Sequence, residues 1–382
     1  MKIVFLSNYF NHHQKPFCDA MMKKTNGDFR FIAYEKLSEE RIKMGYRVLV
    51  EDYVVEGDKK ENSSLCDDWI ENADAVIIGS APWSAVQKRV KQKKLTFVYS
   101  ERLYKNGCSP LRLLKSLIIF LKKYTFRKNV YCLAASAFTA HDYNLGLAFI
   151  NKTFKWGYFP PTYRYDEGQL LEKKRHRYLS IVWCGRMIGL KHPEYPLQLA
   201  KELAEKKVDF RLFMIGTGPL FEQCREFVDQ NGLKRFVCLP GSMSPEKVRR
   251  YMEFSNVFLF TSDRNEGWGA VLNEAMNSGC AVVAGSRIGS APFLIKDGVN
   301  GLLYRDGVYR DFFEKTVRLI EDRGFCWKLG NEAYHTITDL WNADNAAKQF
   351  TALCESMISK TRIKLPEEGP CSKAPYLRDS WK

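Results

Sequence analysis

The 382-residue chain predicts an α/β fold built from two doubly wound parallel sheets, and three observations carry that expectation. Short apolar runs of strand length alternate with longer amphipathic or polar stretches through both halves, the pattern of βα units. The alternation breaks once, at Gly157-Tyr158-Phe159-Pro160-Pro161 and the charged run Glu172-Lys173-Lys174-Arg175-His176-Arg177, and then restarts. The length also exceeds what one hydrophobic core usually supports, and a hydrophobic content of 45% is ordinary for a globular chain.

In the first half, strands are expected at residues 3–6, 29–33, 75–78, 96–99 and 130–134. The break in pattern places the boundary near 165–178, giving a first domain over 1–165 and a second over 166–342. In the second half Ile181-Val182-Trp183-Cys184-Gly185-Arg186 reads as a strand ending in Gly-Arg, with a second cation at Lys191. Two further junctions of strand and glycine follow at Leu212-Phe213-Met214-Ile215-Gly216-Thr217-Gly218-Pro219 and Val237-Cys238-Leu239-Pro240-Gly241-Ser242. Val257-Phe258-Leu259-Phe260 and Cys280-Ala281-Val282-Val283-Ala284-Gly285 are buried strands, and Asp297-Gly298-Val299-Asn300-Gly301 suggests a hairpin-like turn. A last helix is expected over 343–360, and Pro366, Gly369, Pro370 and Pro375 suggest a loosely ordered tail over 361–382.

The most informative stretch runs from Asp263 to Met276, where Glu266 and Glu274 are separated by seven residues across a glycine-hinged entry into a helix. Gly267 and Gly269 let a ligand approach the backbone, and N–H groups at a helix start favour an anion such as phosphate. Glu274 could accept hydrogen bonds from a ribose, leaving Glu266 to face a sugar. Any lone pair of glutamates is more often a pair of solvated acids; four strand-to-glycine junctions in register weigh against that here.

Over roughly residues 178–350 these motifs resemble the retaining nucleotide-sugar glycosyltransferases called group 1, or family four, whose signature is Glu, seven residues, Glu. The resemblance implies a GT-B fold, two Rossmann-like domains facing across a cleft, with the last helix returning to brace the first. It implies that Arg186 and Lys191 bind the donor pyrophosphate, where charge-assisted contacts are strong. The base is expected against backbone near Gly241 and Met243, and Gly216, Gly267, Gly269 and Ala270 near the diphosphate; Trp268, large for such a loop, would restrict donor choice. The implied reaction moves a hexose from a nucleoside diphosphate to a hydroxyl with retained configuration. Preorganised cations and backbone dipoles stabilise the leaving group, so no metal and no other cofactor is expected, and no Asp-x-Asp motif sits at a suitable strand end.

The first domain departs from the family. The loop Asn8-Tyr9-Phe10-Asn11-His12-His13-Gln14-Lys15 lacks the usual paired glycines, so His12, His13 or Lys15 would supply side-chain contacts at the acceptor side, unless the histidines are simply solvated. Where many relatives carry a histidine after the fourth strand, this chain has Glu101-Arg102. Glu101 would orient the sugar or accept the acceptor's proton, or else neutralise its basic neighbours. His141 belongs to a weaker set at the same edge.

Eleven cysteines without a Cys-x-x-Cys pair read as reduced, mostly buried thiols of a cytoplasmic protein. The first apolar run is too short for a secretory segment, and none approaches the length of a membrane span. Charge is concentrated: residues 86–129 hold thirteen Lys and Arg against the single acid Glu101, while the whole chain carries a net +15. Within this stretch Leu111-Arg112-Leu113-Leu114-Lys115-Ser116-Leu117-Ile118-Ile119-Phe120-Leu121-Lys122-Lys123-Tyr124 has the pattern of a helix lying in an anionic membrane interface. The competing reading makes Leu114, Leu117, Ile118 and Leu121 the core face of an ordinary helix. Nucleic acid is the weakest explanation, since no recognised binding motif accompanies the patch.

The expected partners are therefore a nucleoside-diphosphate sugar, a glycan or lipid-linked acceptor of bacterial surface or capsular polysaccharide, and an anionic membrane surface. A nucleotide-sugar epimerase or hydrolase, and a non-catalytic nucleotide-sugar-binding or membrane-scaffold protein, are the alternatives.

Overall fold

The computed structural model describes residues 1–39, 49–361 and 364–378. They form two compact units, one of Met1–Pro161 with Leu340–Lys382 and the other of Thr162–Asp339. Crossing from the first unit to the second falls at 161, a few residues before the break read from sequence, and the return falls at 340.

Among the described residues of the first unit, seven parallel strands are β1 (Ile3–Ser7), β2 (Phe29–Ala33), β3 (Val54–Glu56), β4 (Ala75–Ile78), β5 (Leu95–Ser100), β6 (Val130–Ala134) and β7 (Thr153–Lys155). Their order is β3-β2-β1-β4-β5-β6-β7, with the register Ile3↔Phe29 on one side of β1 and Ile3↔Ala75 on the other. Strands such as Ile3–Ser7 and Ala75–Ile78 are buried throughout, as expected where helices cover both faces of a parallel sheet. The five strands expected from sequence are present. The two additional ones, β3 and β7, are three-residue edge strands, too short to carry a pattern.

Arg89 shows how this unit is closed. Its guanidinium is fully buried and donates to the carbonyls of Ile70, Ala73, Asp74 and Leu95, tying the ends of two helices to β5. Burial pushes its pKa down to about 10. Arg102 is also buried, over the ring of Phe138. Two cations of the basic stretch are thus internal, and the remainder supply its surface charge.

Residues 368–374 of the tail depart from the loose order suggested by its prolines, whereas 362–363 and 379–382 lie outside the described residues. Lys155 N donates to Ser372 O (2.7 Å), Cys371 N to Lys155 O (2.9 Å) and Ala374 N to Thr153 O (3.0 Å), so the tail runs antiparallel along β7. Cys371 and Ser372 are fully buried, and Lys155 pairs with Glu368 at 2.6 Å. The physical reason is that β7 is an edge strand whose outer backbone groups need partners. Preceding the tail, the helix Ala343–Ser359 packs on the helix Lys15–Lys24, with Phe350 against Phe97 and Trp156.

The helix Pro110–Phe120, N-capped by Ser109, does not present a core face. Leu111, Leu114, Ile118 and Ile119 are exposed, as is Leu121 just beyond it, and Phe120 alone of the helix is buried, against Tyr124 and Tyr143. The competing reading of Leu114, Leu117, Ile118 and Leu121 as a core face is corrected: the helix is anchored at its C-terminal end by one ring, Leu113 and Leu117 are half-buried, and the other aliphatic residues face outward.

In the second unit, six parallel strands are β8 (Leu179–Cys184), β9 (Phe210–Ile215), β10 (Val237–Gly241), β11 (Val257–Phe260), β12 (Ala281–Gly285) and β13 (Leu302–Tyr304), ordered β10-β9-β8-β11-β12-β13. The turn at Asp297–Gly301 forms no hairpin: β13 lies parallel to β12, with the short helix Ala291–Leu294 between them. The core joins Ile181, Trp183, Leu212, Met214, Leu259 and Val283 of the sheet to Leu199, Leu203, Phe312 and Leu329 of the covering helices.

Candidate functional site

In the second unit, the loops after β8, β9, β10 and β11 converge at the carboxyl ends of the central strands, where open α/β sheets bind ligands. Backbone hydrogen bonds link them in sequence: Gly185 N to Ile215 O (3.0 Å), Gly216 N to Gly241 O (2.9 Å), Met187 N to Thr217 O (2.9 Å) and Asp263 N to Leu190 O (2.9 Å). Gly216 has φ +135°, and a Cβ there would lie 1.9 Å from Gly185 O, so only glycine lets these two loops touch. Thr217 and Ser242 join the next pair through their hydroxyls at 3.0 Å.

Lys191 sits in a 3₁₀ turn, Gly189–Lys191, and its ammonium forms a close ion pair with Glu266. Ser262 Oγ donates to the same Glu266 oxygen at 3.0 Å. Lys191 is held from behind, where Thr261 Oγ1 donates to its carbonyl (2.6 Å) and accepts from Trp183 Nε1 (2.8 Å). An ammonium has three donors and Glu266 engages it from one side, so the cation can serve a carboxylate and a phosphate oxygen together. Arg186 is exposed at the tip of the same loop. Beside Lys191, His192 adopts a left-handed conformation; its hydrogen bond to Glu194, then Asp263 nearby, holds its pKa above the ordinary value.

Glu274 lies in the first turn of the seven-residue helix Val271–Asn277. Burial raises its carboxyl above the ordinary carboxylate range, and Arg249 opposes that rise. Arg249, from the helix Pro245–Phe254, donates to Glu274 O (3.3 Å) and Asn277 Oδ1 (3.0 Å). Cys184 marks the join: burial pushes its thiol up to about 12, with Glu274 adding to the rise and Lys191 opposing it. One thiol at the end of β8 therefore feels both the Glu274 and the Lys191 charges. Sequence reading missed Arg249 and Cys184. Arg249 is one cation of an unremarkable amphipathic helix, and no local pattern could single it out.

Trp268 is a correction. Its ring is fully buried with Nε1 donating to Asn273 Oδ1 (2.9 Å), so its side chain braces the loop from inside and does not line the site. Gly267 is buried, whereas Gly269, at φ +80° against the ring of Phe260, and Ala270 are partly exposed. Gly241, at φ +78°, and Met243 are likewise partly exposed beside Thr217 and Ser242.

The first unit has its own cluster at the carboxyl ends of β1 and β5. Glu101 accepts from Tyr158 OH (2.7 Å) and Lys105 Nζ (2.8 Å). Tyr158 stacks on His13 at 6.1 Å between ring centres, and His13 lies 4.0 Å from the ring of His12. Burial, helped by the neighbouring His12, lowers the His13 pKa to about 3, so this histidine is neutral and not a solvated loop residue. Two expected members are absent from the cluster. Lys15 starts the Lys15–Lys24 helix and is committed to Asp19 (3.0 Å) and Glu51 (2.7 Å). His141 is buried beside Asp142 with Tyr376 edge-on at 5.0 Å, so it serves packing. Among the described residues no group of three or more His, Cys, Asp and Glu has a metal-holding arrangement.

Residues 170–336 match the family model described as Glycosyl transferases group 1. An uncharacterised glycosyltransferase of Methanocaldococcus jannaschii is 34% identical over 127 residues, covering 33% of this chain and 35% of that one. The lipopolysaccharide 1,6-galactosyltransferase of Salmonella typhimurium is 30% identical over 120 residues, covering 31% of this chain and 33% of that one. The matched stretches span about a third to about half the length of such curated relatives. HepE of Anabaena, solved in complex with UDP, aligns with 93% of this chain and 100% of its own at a TM-score of 0.66 and 15% identity, a likeness of fold. The two parallel Rossmann-like sheets are those of the GT-B fold, and residues 170–336 are similar to the glycosyl transferases group 1.

Proposed function

We propose that the chain transfers a hexose from a nucleoside-diphosphate sugar to a hydroxyl of a lipid-linked glycan acceptor, with retention at the anomeric carbon. The observation that carries this reading is the Lys191–Glu266–Ser262 cluster beside exposed Arg186, set on glycine-hinged loops within the segment matched to group 1. Arg186 and Lys191 bind the diphosphate, and Glu266 orients the sugar. Glu274 accepts from the ribose, and backbone at Gly241 and Met243 meets the base. In the reaction the acceptor oxygen bonds to the anomeric carbon as the bond from that carbon to the phosphate oxygen breaks, and the acceptor's proton passes to the departing diphosphate. The two cations stabilise the charge developing on that leaving group without a metal. In the first unit, Glu101, held by Tyr158 and Lys105, and the pair His12 and His13 receive the acceptor.

Two comparisons support the substrate classes. HepE was solved with UDP, and the Salmonella relative is by name a galactosyltransferase of lipopolysaccharide. A role in bacterial surface or capsular polysaccharide synthesis at the cytoplasmic membrane face follows as part of the proposal. The outward aliphatic residues of the helix Pro110–Phe120, interleaved with Arg112 and Lys115 and followed by Lys122 and Lys123, support docking on an anionic membrane. No helix among the described residues is long and apolar enough to cross a membrane.

Calorimetric titration with UDP, GDP, ADP, CMP and their sugar conjugates, with and without a chelator, tests the donor assignment. Selective, chelator-insensitive binding of one nucleoside diphosphate is expected. Failure to bind any of them would refute it.

A further inference from the structure

A cavity lies in the second unit at the amino-terminal edge of its sheet, opposite the donor-side loops. Its volume is about 350 Å³. Asn256, which immediately precedes β11, and Gly279, two residues before β12, form part of its wall, whereas the donor-site loops leave the carboxyl ends of the same strands. The proposed transferase chemistry uses none of its lining residues.

The electrostatics of the cavity are one-sided. Lys174, Arg175, His176 and Arg323 line it, and no carboxylate does. Of the acids close by, Glu253 and Asp322 are committed elsewhere, and Glu172 meets Arg175 at the solvent side of the cavity. Glu253 pairs with Lys173 (2.7 Å) and accepts from Tyr165 OH (2.8 Å). Glu172 pairs with Arg175 out in solvent at 2.7 Å, and Asp322 caps the helix Arg323–His335 by accepting from Phe325 N (2.8 Å).

Lys174 is the telling residue. It is 3% exposed, and its ammonium donates to Met252 O (2.9 Å) and Ser255 O (2.5 Å), with Cys280 Sγ at 3.9 Å. Its donors are satisfied by carbonyls, and no carboxylate pairs with it directly; Glu253 acts on its charge only through space. Burial disfavours its ammonium form, and an anion in the cavity would restore it. Gly279 at φ +67° keeps the wall open, since a Cβ there would come within 2.9 Å of Leu170 and 3.5 Å of Lys174. Trp327 adds an aromatic side, and His176 lies tilted against Phe254 at 3.8 Å between ring centres.

We propose that this cavity binds a small phosphorylated organic molecule, its phosphoryl group held by Arg175 and Arg323 with the buried Lys174 charge behind them, and its organic part against Trp327 and His176. The cavity holds a ligand of sugar-phosphate size, and guanidinium groups bind phosphate oxygens through paired charge-assisted hydrogen bonds. The site also has a route to the donor side. Cys280 N donates to Ala275 O (3.1 Å), Ser278 N to Glu274 O (3.0 Å), and Arg249 touches both Glu274 and Ser278. The cavity wall at Gly279 therefore adjoins the segment that carries Glu274.

Calorimetry on the full chain with glucose 6-phosphate and with inorganic phosphate tests this, using two double variants. Arg186→Ala with Lys191→Ala removes the donor-side cations; Arg175→Gln with Arg323→Gln removes the exposed cations of the cavity. Glucose 6-phosphate is expected to bind the parent chain and the donor-side variant alike, and the cavity variant at least about tenfold more weakly, as loss of charged hydrogen bonds implies. Tighter binding of glucose 6-phosphate than of inorganic phosphate supports the organic half of the proposal. Absence of binding to the parent chain, or binding lost in the donor-side variant and kept in the cavity variant, would overturn it. Unligated melting temperatures of both variants separate loss of fold from loss of the site.

Discussion

Replacing Leu114 and Ile118 together by serine tests the membrane role of the Pro110–Phe120 helix. These side chains are 54% and 48% exposed, so the pair offers the equivalent of about one whole aliphatic side chain to a bilayer. Burying such a side chain is worth about 1.5–3 kcal/mol, so the double variant should partition into membranes roughly thirtyfold more weakly, at about 1.4 kcal/mol per tenfold. Leu111 at 63%, Ile119 at 46% and Leu121 at 36% remain available, so binding weakens without vanishing. Each cation near an anionic surface adds about 1 kcal/mol, so the parent chain should prefer vesicles containing phosphatidylglycerol over pure phosphatidylcholine, and salt should erase much of that preference. Sedimentation with both vesicle types reads the partition coefficient. Because the substituted positions are exposed, the melting temperature should hardly move. Equal binding of parent and variant, or equal binding to the two vesicle types, would refute the reasoning.

The remaining predictions concern the donor side and the core. Glu266→Ala should lower turnover about 10²-fold while leaving the affinity for a bare nucleoside diphosphate unchanged or raised, since Lys191 loses its carboxylate; Glu274→Ala should weaken that affinity about tenfold, and calorimetry with initial rates distinguishes them. For Glu274 the folded carboxyl has a raised pKa, so the native state holds its proton more tightly than the unfolded chain and stability is lost as pH rises through that window. Glu274→Gln should therefore melt higher than the parent at neutral pH, and the gain should disappear below the ordinary carboxylate range; a pH-independent difference would contradict this. Gly216→Ala forces a Cβ toward Gly185 O at φ +135° and should cost at least ~2 kcal/mol, with nucleotide binding lost alongside, by thermal melt and titration. Arg89→Ala leaves four helix-end and strand carbonyls without their buried donor and should cost about 3–5 kcal/mol in denaturant unfolding.

Much of the fold was legible because a strand buried on both faces is a continuous apolar run, as in Ala75–Ile78 and Val257–Phe260. The three-residue strands Val54–Glu56 and Thr153–Lys155 and the tail lying along the latter escaped, since edge pairing depends on what is nearby in space. The candidate site divides in the same way. Glu266, Glu274, Arg186 and Lys191 stand in fixed spacing around glycines, and such spacing is written in the chain. The ion pair between Lys191 and Glu266 joins residues 75 positions apart, and Arg249 reaches Glu274 from a helix 25 positions earlier. Trp268 illustrates the reverse case: its size suggested a ligand wall, but the hydrogen bond to Asn273 turns the ring inward.

By itself, then, the sequence determined the two-sheet architecture and the glycine junctions and put forward four charged residues as candidates, because periodicity and φ-permissive residues act locally. Only the tertiary structure decided which of them meet, that Lys15 and His141 are committed to packing and ion pairs, and that most aliphatic residues of Pro110–Phe120 face outward. Burial and charge pairing are properties of surfaces brought together from distant parts of the chain, and an amphipathic pattern reads the same whether its apolar side meets a core or a membrane.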